Sequence, residues 1–487
     1  MSKQVAITIA GAVSLGSYEA GVMYEVLDAL AQHNRWADEN KQSEKRIEID
    51  VLTGASAGGM TAAMTAFSLL YNGSGLSQPY NNPLYNAWVN DIDITTLLAM
   101  QPDEDVSHSV LSSDCVVGIS RKYLTPTPPP TKPLPLSHPA LSSNGVLHLG
   151  MALSNLNGVD YARSTITSGE FIYTRHADQY IDQLDFSDGY LAKKWETIRA
   201  TAVSCGAFPI AFSVQELVRN MTDYMSSPFL LKSLWNGKPI IPFCYTDGGV
   251  FQNEPLGMAK NLVERLPDGR LTAKDRGYLF IAPKPKSSDV NMGFNKENAN
   301  FKATILQLIG AVMGQSEFQD WVMAESVNEK IALLDTRATQ LKSLFDSARL
   351  TSEITRPVTS ALLESFFSKS EIEQGTLDTA RTQLQKQYAP EYHSFQNPEA
   401  AKAWLDALLV LELAADLHEK EEMYIYDFVA DPGLLAGGQL FSFTGFFDVK
   451  YRQHDYDYGR FVAQQQIRLY MANADSIFSG LHWTPSI

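Results

Sequence analysis

Residues 50–60 read DVLTGASAGGM. Ser56 stands among Gly54, Ala55, Ala57, Gly58 and Gly59, directly after a short apolar run over 47–53. A packed core has no use for five small neighbours around one hydroxyl. A sharp turn that reverses a strand into a helix and presses one side chain outward does. The stretch fits G-x-S-x-G through Gly54, Ser56 and Gly58, with a predicted strand before it and GMTAAMTAFSLLY (59–71), which reads as a helix, after it. That is the context a nucleophile elbow requires. The strained turn exposes Oγ, and the helix N-terminus offers N–H groups that stabilise developing negative charge. A plain glycine-rich strand–helix turn has the same composition, so the reading depends on partners elsewhere in the chain.

Upstream, residues 4–10 read as a buried strand, AGAVSLG (10–16) as a loop, and SYEAGVMYEVLDALAQH as a helix with an apolar stripe of Val22, Val26, Leu27 and Leu30. Strand, loop, helix, strand, turn, helix is the opening of an α/β fold with a parallel sheet. The small residues of the loop can turn backbone N–H groups toward an oxyanion. A dinucleotide loop is disfavoured, because Val13 stands where G-x-G-x-x-G needs its second glycine. Downstream, TDGGVFQNEP (246–255) puts Asp247 at the end of an apolar strand, followed by Gly248 and Gly249. In a parallel sheet the carboxyl ends of strands share one rim. Asp247 can there meet Ser56 and act as its general base. The alternative use of Asp-Gly-Gly is a tight turn.

Strand-like runs also occur at 146–153, 170–175, 239–246 and 277–283, and 297–418 is mostly helical in pattern. The expected division is a catalytic domain over 1–290 and a mostly helical region over 291–487. In the tail, MYIYDFVA (423–430) reads as a strand, GLLAGGQLFSFTGFF (433–447) as core strand rather than membrane-contact surface, and a last helix starts near Gly459. LTPTPPPTKPLPLSHP (124–139) is a polyproline surface insertion, either a spacer or an entry wall beside the site.

The net charge of -16 argues against non-specific nucleic-acid binding and against simple attraction to anionic membranes. A local basic patch is one exception to weigh, with KPKSS (284–288), Lys274 and Arg276 as its candidate. Cys115, Cys205 and Cys244 show no C-x-x-C spacing, histidines are sparse and H-E-x-x-H is absent, so neither a disulfide framework, a metal nor a cofactor is expected. The most apolar stretch, AWLDALLVLELAA (403–415), is broken by Asp406 and Glu412, and MSKQVAITIAG is too short for a signal peptide. A cytoplasmic or peripheral-membrane location follows as an expectation.

The elbow, the loop and the Asp-Gly-Gly, in this order, resemble the patatin-like phospholipase family in its bacterial form. ATAVSCGAFPIAF (200–212), DGGVFQNEPLGMAKNL (247–262), ALSNLNGV (152–159) and YRQHDYDYGRF (451–461) add to the likeness, which covers roughly residues 4–285 and the last element. The resemblance implies a three-layer α/β/α fold with a mainly parallel sheet and a Ser–Asp dyad without histidine. Carried over, Ser56 is the nucleophile and Asp247 the base. Gly11, Ala12 and Val13, with the N–H of Ala57, form the oxyanion hole, and no cofactor is needed. The likeness departs at Leu15, where many members carry Arg or Lys. It implies an acyl hydrolase of phospholipase A or lysophospholipase type acting on a lipid or membrane-surface substrate. Acyl transfer, a Ser–His–Asp esterase drawing on His393, His418, His454 or His482, and a non-catalytic lipid-binding or scaffold protein are the other readings.

Overall fold

β1 (Lys3–Ile9) and β2 (Ile47–Gly54) lie side by side in parallel, with Ile9 opposite Gly54. The computed structural model describes residues 2–126, 137–164, 170–185, 192–225, 227, 229–235, 237–266, 275–283, 294–297, 299–316, 319–369, 374–415, 417 and 423–486. Residues 127–136 of the proline-rich stretch, Lys274 and residues 284–288 lie outside them.

Eight strands form one sheet. Its order is β5 (Gln215–Asn220), β6 (Ile240–Thr246), β3 (Leu147–Ser164), β2, β1, β7 (Arg276–Ala282) and β8 (Ile425–Val429), and β4 (Glu170–Leu184) pairs with β3. From β3 to β8 every pairing is parallel. The β3–β4, β3–β6 and β5–β6 pairings are antiparallel. The architecture is therefore mixed α/β with a mostly parallel central sheet.

The near-continuous apolar runs of β1 and β2 follow from burial on both faces. Val5, Ile7 and Ile9 share a core with α1 (Gly16–Glu39) and α2 (Ala57–Tyr71). On the other face the helix Leu256–Glu264 packs over β1 and β2. The Val22, Val26, Leu27 and Leu30 stripe of α1 is fully buried, each residue contributing about 1.5–3 kcal/mol relative to exposure. The stripe understates the helix, which is buried almost all round, because the C-terminal helix Val449–Ala472 covers its outer side. That approach needs glycine: a Cβ on Gly459 would lie 2.2 Å from the Tyr18 carbonyl oxygen, and one on Gly21 would lie 2.1 Å from that of Tyr456. Beside the crossing, Arg460 and Glu25 form a buried ion pair at 2.7 Å.

Two units result. One comprises residues 1–321 with 424–487, the other Val322–Met423. Treating 291–487 as one region therefore misplaces the tail, since β8 extends the sheet beside β7 and the last helix rests on α1. The second unit is helical around Trp404, whose indole N–H donates to the Ala338 carbonyl at 3.1 Å, with Leu334, Phe345, Leu384 and Leu408 packed in the same core.

Two local expectations also change. The last helix begins at Val449, ten residues before Gly459. GLLAGGQLFSFTGFF forms no strand but a helical turn at Gln439–Ser442 and a 3-10 turn at Thr444–Phe447. Its backbone groups are satisfied by charged side chains of the C-terminal helix. Arg452 donates to the Gly445 and Phe446 carbonyls at 3.0 and 3.1 Å, and Asp455 accepts from the Ala436 and Gly437 N–H groups at 2.7 and 2.8 Å. Arg276, offered above for a basic patch, is buried in an ion pair with Asp50.

Candidate active site

Between β2 and α2 the chain reverses at Ser56, whose φ of 52° and ψ of -128° place a non-glycine residue in a conformation L-residues avoid. Such a residue stores about 1–3 kcal/mol of strain and persists only where its surroundings enforce it. The surroundings here leave no slack. The Ala55 N–H donates to the Ile9 carbonyl at 3.1 Å, and a Cβ on Gly58 would sit 2.3 Å from both the Ile9 and Ala10 carbonyl oxygens. Gly54 is constrained in turn, with its would-be Cβ 2.3 Å from the Gly58 oxygen.

Asp247 arrives from the opposite direction. β3 runs past the end of β2, and β6 returns antiparallel along that extension, with Thr246 opposite Ser154. A shared rim of parallel strands is therefore not what brings the two residues together. Ser56 Oγ donates to Asp247 Oδ2 at 2.6 Å across 191 positions of sequence. The other carboxylate oxygen accepts the Gly249 N–H at 2.7 Å. The Asp247 N–H and the Thr246 hydroxyl both donate to the Ala207 carbonyl, at 2.9 and 2.8 Å. Asp247 is fully buried and Ser56 is 3% exposed. Burial pushes the Asp247 carboxyl up to about 7, against the smaller lowering effects of the Ser56 hydroxyl and the Gly249 N–H. Such a group is neutral or ionised near neutral pH and so suits proton transfer.

The loop of Gly11, Ala12 and Val13 lies beside the serine. A Cβ on Gly11 would meet Asn253 Oδ1 at 2.1 Å and Ser56 Cβ at 3.1 Å. The Gly11 N–H is already given to the Asn253 carbonyl at 2.9 Å, so Gly11 admits close approach but is not a free donor. The N–H groups of Ala12 and Val13 have no partner among the described residues. Ala57 opens α2, where N–H groups have no intrahelical acceptor. Val13 has φ 54°, an outlier for a β-branched residue.

Asn253 was within the quoted TDGGVFQNEP, but nothing in that run indicates that its carbonyl fixes Gly11. Cys205, the nearest thiol, touches the Ser56 carbonyl at 3.7 Å, and burial raises its pKa well above the usual range, which makes it a poor nucleophile. Among the described residues no histidine hydrogen-bonds to Ser56 or Asp247. His454 pairs with Asp455 at 3.2 Å, His482 stacks on Trp36, His393 lies in the other unit, and His418 is outside the described residues. The described residues hold no group of three or more metal-ligating side chains, and none of their helices is long and apolar enough to cross a membrane.

An uncharacterized protein, y4iI, from Sinorhizobium fredii is 24% identical over 359 residues, covering 58% of this chain and 49% of that protein. The chain thus spans about half the length of that relative. The crystal structure of VipD from Legionella pneumophila aligns over 95% of this chain and 67% of its own, at 11% identity and a TM-score of 0.30. The family model of the patatin-like phospholipases matches residues 7–260, more than half of the chain and a span that includes residues 11–13, 54–58 and 247–249: the protein belongs to the patatin-like phospholipase family.

Proposed function

We propose that this protein is a lipid acyl hydrolase of phospholipase A or lysophospholipase type, with Ser56 as nucleophile and Asp247 as its base. The observation that carries the reading is the 2.6 Å hydrogen bond from Ser56 Oγ to a buried carboxylate whose pKa lies at about 7. Asp247 takes the hydroxyl proton as Oγ bonds to the ester carbonyl carbon. The N–H groups of Ala12, Val13 and Ala57 face the resulting oxyanion. Asp247 then returns the proton to the departing alcohol oxygen, leaving an acyl-serine. In the second half, water gives a proton to Asp247 as it attacks the acyl carbon; the bond to Oγ then breaks, Asp247 returns that proton to Ser56 Oγ, and the fatty acid leaves. An alcohol in place of water gives acyl transfer by the same steps.

For a base to act it must be ionised, so kcat/KM on a soluble ester should rise about tenfold per pH unit below the Asp247 value of about 7 and level off above it. A fluorophosphonate should label Ser56 with the same pH dependence. A flat profile between about pH 5 and 9, or labelling of another serine, removes the assignment. Gly11→Val drives a side chain into Asn253 and the Ser56 wall. Its turnover should fall roughly 10²-fold, as when one oxyanion donor is lost. An unchanged rate in the folded variant would locate the donors elsewhere.

A further inference from the structure

Two surface loops are tied to the walls of the dyad, and both hold non-glycine residues in the left-handed region. In the first, residues 205–214, Ile210 has φ 70°; in the second, residues 432–447, Leu440 has φ 51° and Ser442 φ 63°. A β-branched residue in the left-handed region is an outlier. Ile210 and Leu440 are nevertheless 48% and 66% exposed, so the strained backbone turns large apolar side chains toward solvent. Val110, whose N–H donates to the Ile210 carbonyl at 3.0 Å, is 62% exposed beside it, and Phe447 is 54% exposed at the end of the second loop.

The loops meet through an edge-to-face contact of Phe208 and Phe443, with ring centroids 5.2 Å apart. Each is tied to one side of the site. Ala207 holds Asp247 and Thr246 through its carbonyl. Ser14, next to Val13, donates to the Ser442 carbonyl and accepts the Gly445 N–H at 3.1 Å. Neither CGAFPIAFSV (205–214) nor PGLLAGGQLFSFTGFF (432–447) contains an Asp, Glu, Lys or Arg. The two loops are uncharged and apolar and continuous with the catalytic walls, while Asp105 and Asp114 near Val110 and Asp448 after Phe447 are acidic; on a chain of net charge -16 this rim suits a neutral amphiphile surface and not an anionic one.

We infer that Ile210 and Leu440, with Val110 and Phe447, form a docking rim that seats the protein on a zwitterionic phospholipid surface with the dyad facing the ester layer. The inference rests on the acyl-hydrolase reading for its substrate, but the docking can be measured without turnover. The test is the double variant Ile210→Asn/Leu440→Asn. Asparagine tolerates the left-handed backbone better than isoleucine or leucine, so the melting midpoint should rise. Placed in Ser56→Ala protein, the double variant should co-sediment with phosphatidylcholine vesicles at least tenfold more weakly than Ser56→Ala alone, because two apolar anchors are lost. In active protein, the ratio of the rate on those vesicles to the rate on a monomeric short-chain ester should fall at least tenfold. Unaltered sedimentation, an unaltered rate ratio, or a lowered melting midpoint would each overturn the docking rim. If the parent protein hydrolyses no ester while vesicle affinity drops as stated, the hydrolase reading fails and the rim stands.

Discussion

On the proposed mechanism, Asp247→Asn should abolish ester hydrolysis and at the same time make the fold more stable above neutral pH. Loss of either member of a nucleophile–base unit costs several orders of magnitude in turnover, so Ser56→Ala and Asp247→Asn should each fall about 10³- to 10⁶-fold. The stability gain follows from the sign of the pKa shift. Burial raises the Asp247 carboxyl from 3.8 to about 7, so the unfolded chain releases this proton at lower pH than the folded one does. Stability from this group is fully present below the unfolded value and is lost as pH climbs through the folded one. At about 1.4 kcal/mol per unit, the burden of the buried carboxylate at pH 8 is on the order of 4 kcal/mol at most. The amide carries no charge and can still bond to the Ser56 hydroxyl and the Gly249 N–H. Urea midpoints at pH 5 and pH 8 should therefore show a larger gain at the higher pH. A destabilised Asn variant at pH 8 would mean that the carboxylate is compensated by something other than these two bonds.

Arg276→Met should cost about 3–5 kcal/mol, the usual penalty for leaving one member of a buried ion pair alone. Arg276 on β7 reaches over β1 to Asp50 on β2, with its two terminal nitrogens 2.6 and 2.8 Å from the two carboxylate oxygens. Both residues are buried, so the unpaired Asp50 charge has little water to turn to. The double variant Asp50→Leu/Arg276→Met removes both charges and should recover most of the loss. Denaturant titration of these two variants and of Asp50→Leu, compared with the parent as a cycle, measures the coupling. Equal losses in both would show that the pair acts by packing and not by charge.

What was legible in the sequence is what a few neighbouring residues determine. The elbow needs a strand, the five small residues around Ser56, and a helix start, all within residues 47–71, and the backbone angles it demands are local. The same holds for β1, α1 and the turn after Asp247. Asp50 and Arg276 were visible as residues but not as a pair, because their meeting depends on β7 settling beside β1.

The Phe-rich segment shows the limit most plainly. The segment reads as a core strand, and a strand would need partner strands to satisfy its backbone. Arg452, Asp455 and Ser14 supply those hydrogen bonds instead, and Ser14 lies 428 positions away from its partner Ser442. The sequence by itself determined the family motifs and the parallel α/β opening, and it singled out Ser56 and Asp247 as candidates. Only the tertiary structure decided that β6 returns antiparallel to deliver Asp247, that the Gly11 N–H is occupied, and that the tail joins the first unit. Local backbone geometry is written in adjacent residues, whereas the satisfaction of buried polar groups depends on which distant elements the fold brings together.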